Sequence, residues 1–130
     1  MDIKAAAAEA RTLTKNAITA GTITLPEGVR WSIRQNKTYN GLELVLRGLD
    51  RATFFKSREQ LEREGTNRRQ LAEDGQALVV ALTELFANTG RPAADYDPHA
   101  DYQDNGYGRV TIHAVMAGEP YGLDVSPNWP

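Results

Sequence analysis

The side chains best suited to chemistry are concentrated between residues 91 and 108, where four aspartates fall within ten residues. Several oxygen ligands on one flexible segment are what Mg²⁺ and Ca²⁺ prefer. An EF-hand loop also needs a third acid and a late glutamate, and here His99 replaces that acid while the glutamate is missing. We therefore expect the aspartates to cap turns and to bind no metal; a metal-dependent enzyme is the alternative. The four are Asp95, Asp97, Asp101 and Asp104.

Tyrosines alternate with these acids, and Tyr121 and Trp129 follow later in the chain. Tyrosine and tryptophan are enriched at protein interfaces, and neighbouring carboxylates can meet lysines or arginines of a partner. The segment is therefore predicted to bind a partner, either a host protein or a ribonucleoprotein complex. The predicted contact residues are Asp95, Tyr96, Asp97, Asp101, Tyr102, Asp104 and Tyr107.

A second candidate surface is basic. Residues 30–69 contain ten Lys or Arg against five Asp or Glu, whereas residues 70–130 contain two against nine. Arginine suits phosphate because its donors form a fork. The isoelectric point of about 5.7 and the lack of a recognisable reading helix make nucleic-acid or nucleotide binding the alternative function. Its candidate residues are Arg30, Arg34, Arg47 and Arg51.

Motifs for catalysis are missing from the sequence. His99 and His113 are the only histidines, and they are too far apart in sequence for a helical metal pair. The chain has no cysteine, and no serine stands in a Gly-x-Ser-x-Gly elbow. No glycine-rich loop precedes a helix to hold phosphate. The sequence predicts neither an enzyme nor a cofactor.

The bulk properties predict one domain covering residues 1–130. The chain is 41% hydrophobic and 25% charged, as in ordinary globular proteins. Without cysteine it fits a reducing compartment, and a cytoplasmic location is expected. Its longest apolar run, at residues 77–82, is too short to cross a membrane, and no signal peptide is expected. Self-association is left open.

Hydrophobic spacing predicts a helix over residues 2–19 that is loosely attached, because its apolar stripe consists mostly of alanines. A period of two predicts strands at residues 23–25, 29–34 and 42–47, with the tight-turn pair Asn40-Gly41 before the last. Residues 50–56 fit a strand or a helix. Alternation from Arg109 to Val115 predicts a final strand, and residues 117–130 are expected to be an irregular tail.

Two capping-box spacings predict helix starts, at Ser57 with Gln60 and at Asn67 with Gln70. Leucines at helical spacing predict that the helix starting at Asn67 is long, and Gly75 is expected to interrupt it at little cost. Together these elements predict an α+β fold in which an antiparallel sheet, formed by a hairpin or meander plus a C-terminal strand, packs against two or three helices. The leucines are Leu71, Leu78, Leu82 and Leu85.

Two stretches resemble a known family. Leu-Pro-Glu-Gly-Val-Arg-Trp-Ser-Ile-Arg at residues 25–34, followed by Asn-Gly-Leu-Glu-Leu-Val at 40–45, resembles the first strands of the large polyvalent protein-associated domains. The late segment resembles the acidic Tyr-Asp loop before that family's last strand; it consists of Asp95-Tyr96-Asp97, then Asp101-Tyr102-Gln103-Asp104 and the strand from Tyr107. The resemblance implies a phage or mobile-element protein without established catalytic residues. The favoured hypothesis is thus a non-enzymatic protein that binds a host complex as a counter-defence inhibitor of the anti-CRISPR type.

Overall fold

A computed structural model describes residues 3–36, 41–87 and 110–126 of the chain. Four helices and four strands in these described ranges confirm the predicted α+β class. Their order is α1 (Ile3–Thr19), β1 (Arg30–Asn36), β2 (Gly41–Leu49), α2 (Arg51–Phe54), α3 (Arg58–Arg63), α4 (Glu73–Ala87), β3 (Val110–Met116) and β4 (Leu123–Asp124).

The strands form one sheet in the order β1-β2-β3-β4. The pairs β1–β2 and β3–β4 are antiparallel, so the sheet is mostly antiparallel as predicted, but β2 and β3 are parallel. A parallel pair requires a crossover connection, and the chain between β2 and β3 contains α2, α3 and α4. The helices therefore return the chain to the end of the sheet where β2 began.

Strand β2 lies at the centre of the sheet, and every residue from Gly41 to Leu46 is buried. Its leucines Leu42, Leu44 and Leu46 belong to the hydrophobic core. A register shift between Arg47 and Leu49 interrupts the pairing with β3. After this bulge Leu49 is buried again, although Arg47 and Gly48 are exposed.

Helix α1 contributes small side chains to the core. Its buried alanines, with Thr14, form one face of the helix, and the Thr14 hydroxyl donates to the carbonyl of Ala10 at 2.7 Å. Arg11 donates from Nη2 to the carbonyl of Ile33 on the edge strand β1 at 3.0 Å. Helix α4 adds large side chains to the same core. The alanines are Ala6, Ala7, Ala10 and Ala17; the large residues are Leu78, Val79, Leu82 and Phe86.

The predicted strand at residues 23–25 does not form. Ile23 is buried, but its backbone N–H donates to the carbonyl of Ala17 at the end of α1, and Thr22 donates to the same carbonyl. The apolar alternation of Ile23 and Leu25 therefore reflects packing of a helix-terminating segment against the core.

Residues 50–56 form a short helix and then a bridge. Asp50 caps α2 by accepting from the N–H of Ala52 at 3.0 Å, and Phe55 pairs with Leu71 as an isolated β-bridge. Ser57 caps α3 as predicted, accepting from the N–H of Gln60 at 3.1 Å.

The second predicted helix start, at Asn67, is wrong. The carbonyl of Gln70 accepts from the N–H of Lys56, and Ala72 donates to the carbonyl of Phe54, each at 2.9 Å. Because these bonds hold the backbone extended, helix α4 begins only at Glu73.

Two further differences concern Gly75 and the chain after residue 117. A side chain at Gly75 would overlap the carbonyl oxygen of Phe54, so this glycine permits close contact between α2 and α4 and is not a neutral interruption. The expected irregular tail contains β4, whose Leu123 and Asp124 pair with Ala114 and His113.

Candidate functional site

The sheet has two chemically different faces. One lies against the hydrophobic core, and the other, called here the outer face, contributes none of its residues to that core within the described chain. The strand register places mostly polar and charged side chains together on the outer face, with the buried Val45 and Val115 among them. Its residues are Arg30, Ser32 and Arg34 of β1, Glu43, Val45 and Arg47 of β2, Thr111, His113 and Val115 of β3, and Asp124 of β4.

Arg30 and Arg47 lie directly opposite each other on β1 and β2, and both are exposed. Within residues 3–36, 41–87 and 110–126, neither guanidinium forms an ion pair. Two like charges directly opposite each other on a sheet destabilise the strand pair. An anion placed between them would remove this repulsion, so the pair is a candidate anion-binding site.

Arg34 has a different role because it contacts Glu43, its cross-strand partner. Its Nε and Nη2 atoms both lie 2.7 Å from Oε2 of Glu43. The Glu43 side chain is only 10% exposed, whereas that of Arg34 is 56% exposed. Arg34 therefore compensates a carboxylate that the apolar strand buries, and it keeps part of its guanidinium in solvent.

His113 joins the same cluster. Its Nε2 is hydrogen bonded to the Thr111 hydroxyl at 3.0 Å and lies 3.8 Å from Oε2 of Glu43. In a nucleophile–histidine–acid triad the hydroxyl and the carboxylate contact opposite nitrogens of the ring. Here both approach the same nitrogen, so this arrangement is a polar packing network rather than the geometry of an activated threonine.

The four arginines singled out from the sequence do not form one site. Arg30, Arg34 and Arg47 share the outer face, and Arg51 lies in α2. The Nη2 atom of Arg51 is 2.9 Å from Oε1 of Glu119, and its guanidinium is 5.9 Å from the centre of the Phe55 ring.

The predicted partner-binding residues Asp95, Tyr96, Asp97, Asp101, Tyr102, Asp104 and Tyr107 lie outside the described residues. Of the other aromatic residues assigned to that surface, Tyr121 is described and is 82% exposed. The described ranges contain no group of three or more His, Asp or Glu side chains that could hold a metal ion.

Glu43 and Thr111 were not recognised from the sequence as members of a site. Glu43 did offer a signal, because it is an acid flanked by apolar residues in a strand that reads as buried. A buried acid requires a partner, and Arg34 across the hairpin supplies it. Thr111 offered no comparable signal, because threonine is common in strands.

No protein-family model, curated protein or solved structure matches this chain. None of the helices in the described part of the chain is long and apolar enough to span a membrane.

Proposed function

We propose that the protein is a non-enzymatic binding protein whose outer face holds the phosphate backbone of a nucleic acid. The supporting observation is the exposed pair Arg30 and Arg47, opposed across two strands without an ion-pair partner in the described chain. Three arginines and one glutamate leave the β1–β2 half of this face with a net charge of +2. Arginine donors match phosphate oxygens, and each phosphate contact releases counterions.

The composition of the outer face restricts how it would recognise nucleic acid. Apart from the imidazole of His113, its described residues include no aromatic ring, and Trp31 points to the other face. Base stacking is the usual source of affinity for single strands. Binding through arginines alone should therefore be weak, insensitive to base sequence and strongly dependent on salt.

The proposal is tested by fluorescence polarisation with labelled single-stranded and duplex DNA and RNA over a salt series. The double variant Arg30→Ala/Arg47→Ala should weaken binding. It should also make the negative slope of log K against log salt shallower by about 1.4–1.8, because two phosphate contacts that contribute ~0.7–0.9 each are lost. Arg63→Ala, an exposed arginine of α3, removes charge away from the sheet and should leave the slope nearly unchanged. Absence of binding at low salt, or equal effects of both variants, would sink the proposal.

A companion measurement is the stability of Arg30→Glu. This change replaces a repulsive cross-strand pair by an attractive one, so it should stabilise the fold by about 0.5–1 kcal/mol at low salt while abolishing nucleic-acid binding. A variant that gains stability as it loses the ligand separates a binding defect from misfolding. The proposed ligand, like the cysteine-free sequence, fits a cytoplasmic protein.

A second candidate is the host-complex inhibitor with the mobile-element origin that the family-like motifs imply. The observation that favours it is Tyr121, which is 82% exposed in a segment that also carries Glu119 and Asp124. Large exposed aromatic side chains are enriched at protein interfaces, and the neighbouring acids could pair with basic groups of a partner. Pull-down from host lysate with wild type and Tyr121→Ala tests it; capture of the same partners by both proteins would remove this support.

A further inference from the structure

A basic cleft lies away from the sheet, between α2, α3 and the segment that follows α3. Its volume is about 660 Å³, which falls within the usual size range of small-molecule sites. Its polar lining consists of four basic side chains, one acid and three neutral hydrogen-bonding groups. These are Arg51, Lys56, Arg58 and Arg69, then Glu62, and Ser57, Thr66 and Asn67.

Phe55 holds two of the arginines in place. The guanidinium groups of Arg51 and Arg69 lie 5.9 and 5.6 Å from the centre of its ring, within the range of cation–π attraction. The ring is buried and packs edge-on against Phe54 with centres 5.2 Å apart. Both positive charges therefore lie within cation–π distance of one buried ring.

The backbone around the cleft is also fixed. The segments at residues 54–56 and 70–72 are joined by the Phe55–Leu71 bridge and by the hydrogen bonds from Lys56 to Gln70 and from Ala72 to Phe54. Lys56 Nζ further binds Glu64 and the side chain of Gln70 at 3.0–3.1 Å. Arg69 directly precedes a well-anchored strand-like segment, so little ordering of the backbone is needed when a ligand binds.

The charges in the cleft are incompletely compensated. Arg51, Lys56 and Arg58 pair with Glu119, Glu64 and Glu62 respectively. Arg69 forms no ion pair with any residue in the described ranges, so the cleft and its pairing carboxylates retain a net charge of +1. We propose that this cleft binds a phosphate group, with Arg69 and Arg51 as its main donors and Asn67 and Ser57 beside them.

An adjoining cleft provides space for a chemical group attached to the phosphate. It has a volume of about 1040 Å³ and shares Phe55, Lys56 and Arg69 with the first. Its lining includes the amide side chains of Gln60, Gln70 and Gln76, which can donate and accept hydrogen bonds. The phosphate is therefore either free or carried by a small polar molecule such as a nucleoside monophosphate.

The test is an NMR titration of the ¹⁵N-labelled protein with inorganic phosphate and, separately, with adenosine monophosphate. Both probes should shift the amide signals of Phe55, Asn67 and Arg69. Arg69→Gln should weaken binding about tenfold or more, because a charge-assisted hydrogen bond is lost. The matched control Arg68→Gln removes the same charge one residue away without lining either cleft, and should stay within about twofold.

Tighter binding of adenosine monophosphate than of phosphate assigns the ligand to the organic class; equal affinities assign it to free phosphate. The proposal is overturned if neither probe moves these amides, or if Arg68→Gln weakens binding as much as Arg69→Gln does. The dispersion of the variant spectra verifies that each remains folded. The variant Arg30→Ala/Arg47→Ala should keep the shifts at Phe55 and Arg69, which makes this site independent of the outer face.

Discussion

Gly75 illustrates how one absent side chain fixes the contact between two helices. A Cβ atom there would overlap the carbonyl oxygen of Phe54 and lie 3.2 Å from Cδ2 of its ring. Helix propensity alone favours alanine over glycine by about 1 kcal/mol. We expect the overlap to dominate, so that Gly75→Ala lowers the free energy of unfolding by about 1–3 kcal/mol in urea denaturation.

A control in the same helix separates the two effects. Ala77 is exposed, and Ala77→Gly should cost only the propensity difference of about 1 kcal/mol. A stabilised Gly75→Ala protein would mean that α2 and α4 do not meet closely at this point.

At the same scale, the arginines of the outer face could be predicted only in part. Alternation along β1 places Arg30 and Arg34 on one face. It cannot place Arg47 opposite Arg30, because a shift of two residues between the strands preserves the faces and changes every partner. The opposed pair depends on a register that the connection between the strands sets, and the ion pair of Arg34 with Glu43 depends on it equally.

At the scale of elements, β4 is the feature least visible in the sequence. Its two residues pair with β3, and the next two continue the contact: Val125 donates to the carbonyl of Ile112 at 2.9 Å, and the Ser126 hydroxyl accepts from the N–H of Ile112 at 2.8 Å. Ile112 is fully buried. Ser126→Ala therefore leaves a buried donor without this acceptor and should cost about 1–2 kcal/mol by thermal or urea unfolding.

Ser32→Ala provides the comparison for that variant, since Ser32 is exposed on the outer face, and its effect should stay within about 0.5 kcal/mol. Equal stability of the Ser126 and Ser32 variants would show that the Ser126 hydroxyl does not stabilise the edge of the sheet beyond β4.

The same elements show why sequence patterns succeeded and failed. Strands β1, β2 and β3 and helices α1 and α4 follow from hydrophobic spacing, because each buries a face at its own period. Helix α3 has no buried residue and follows from its capping box alone. The patterns at residues 23–25 and 67–70 look equally good locally. At residues 23–25 the structure is decided by hydrogen bonds to Ala17, five and six residues earlier, which end α1. At residues 67–70 it is decided by the distant partners Phe54 and Lys56, which a local pattern does not contain.

For the whole molecule, the central position of β2 predicts a gradient of local stability. Strand β2 is paired on both sides and buried through Leu46, whereas α3 has no buried residue. Amide hydrogen exchange should therefore be slowest in β2, near the global unfolding limit, and fast in α3 through local opening. Comparable protection of the two elements would contradict the layered arrangement.

The parallel pairing of β2 with β3 also has a consequence for synthesis on the ribosome. Sixty residues separate Leu49 from Val110, and at ~5–20 residues per second they take roughly 3–12 s to translate. During this interval the hairpin of β1 and β2 has been synthesised, but one edge of its leucine-rich strand β2 is still unpaired. Such an edge is prone to intermolecular strand addition. The nascent chain thus passes through a window of several seconds in which chaperone capture competes with self-association, and slower translation lengthens that exposure.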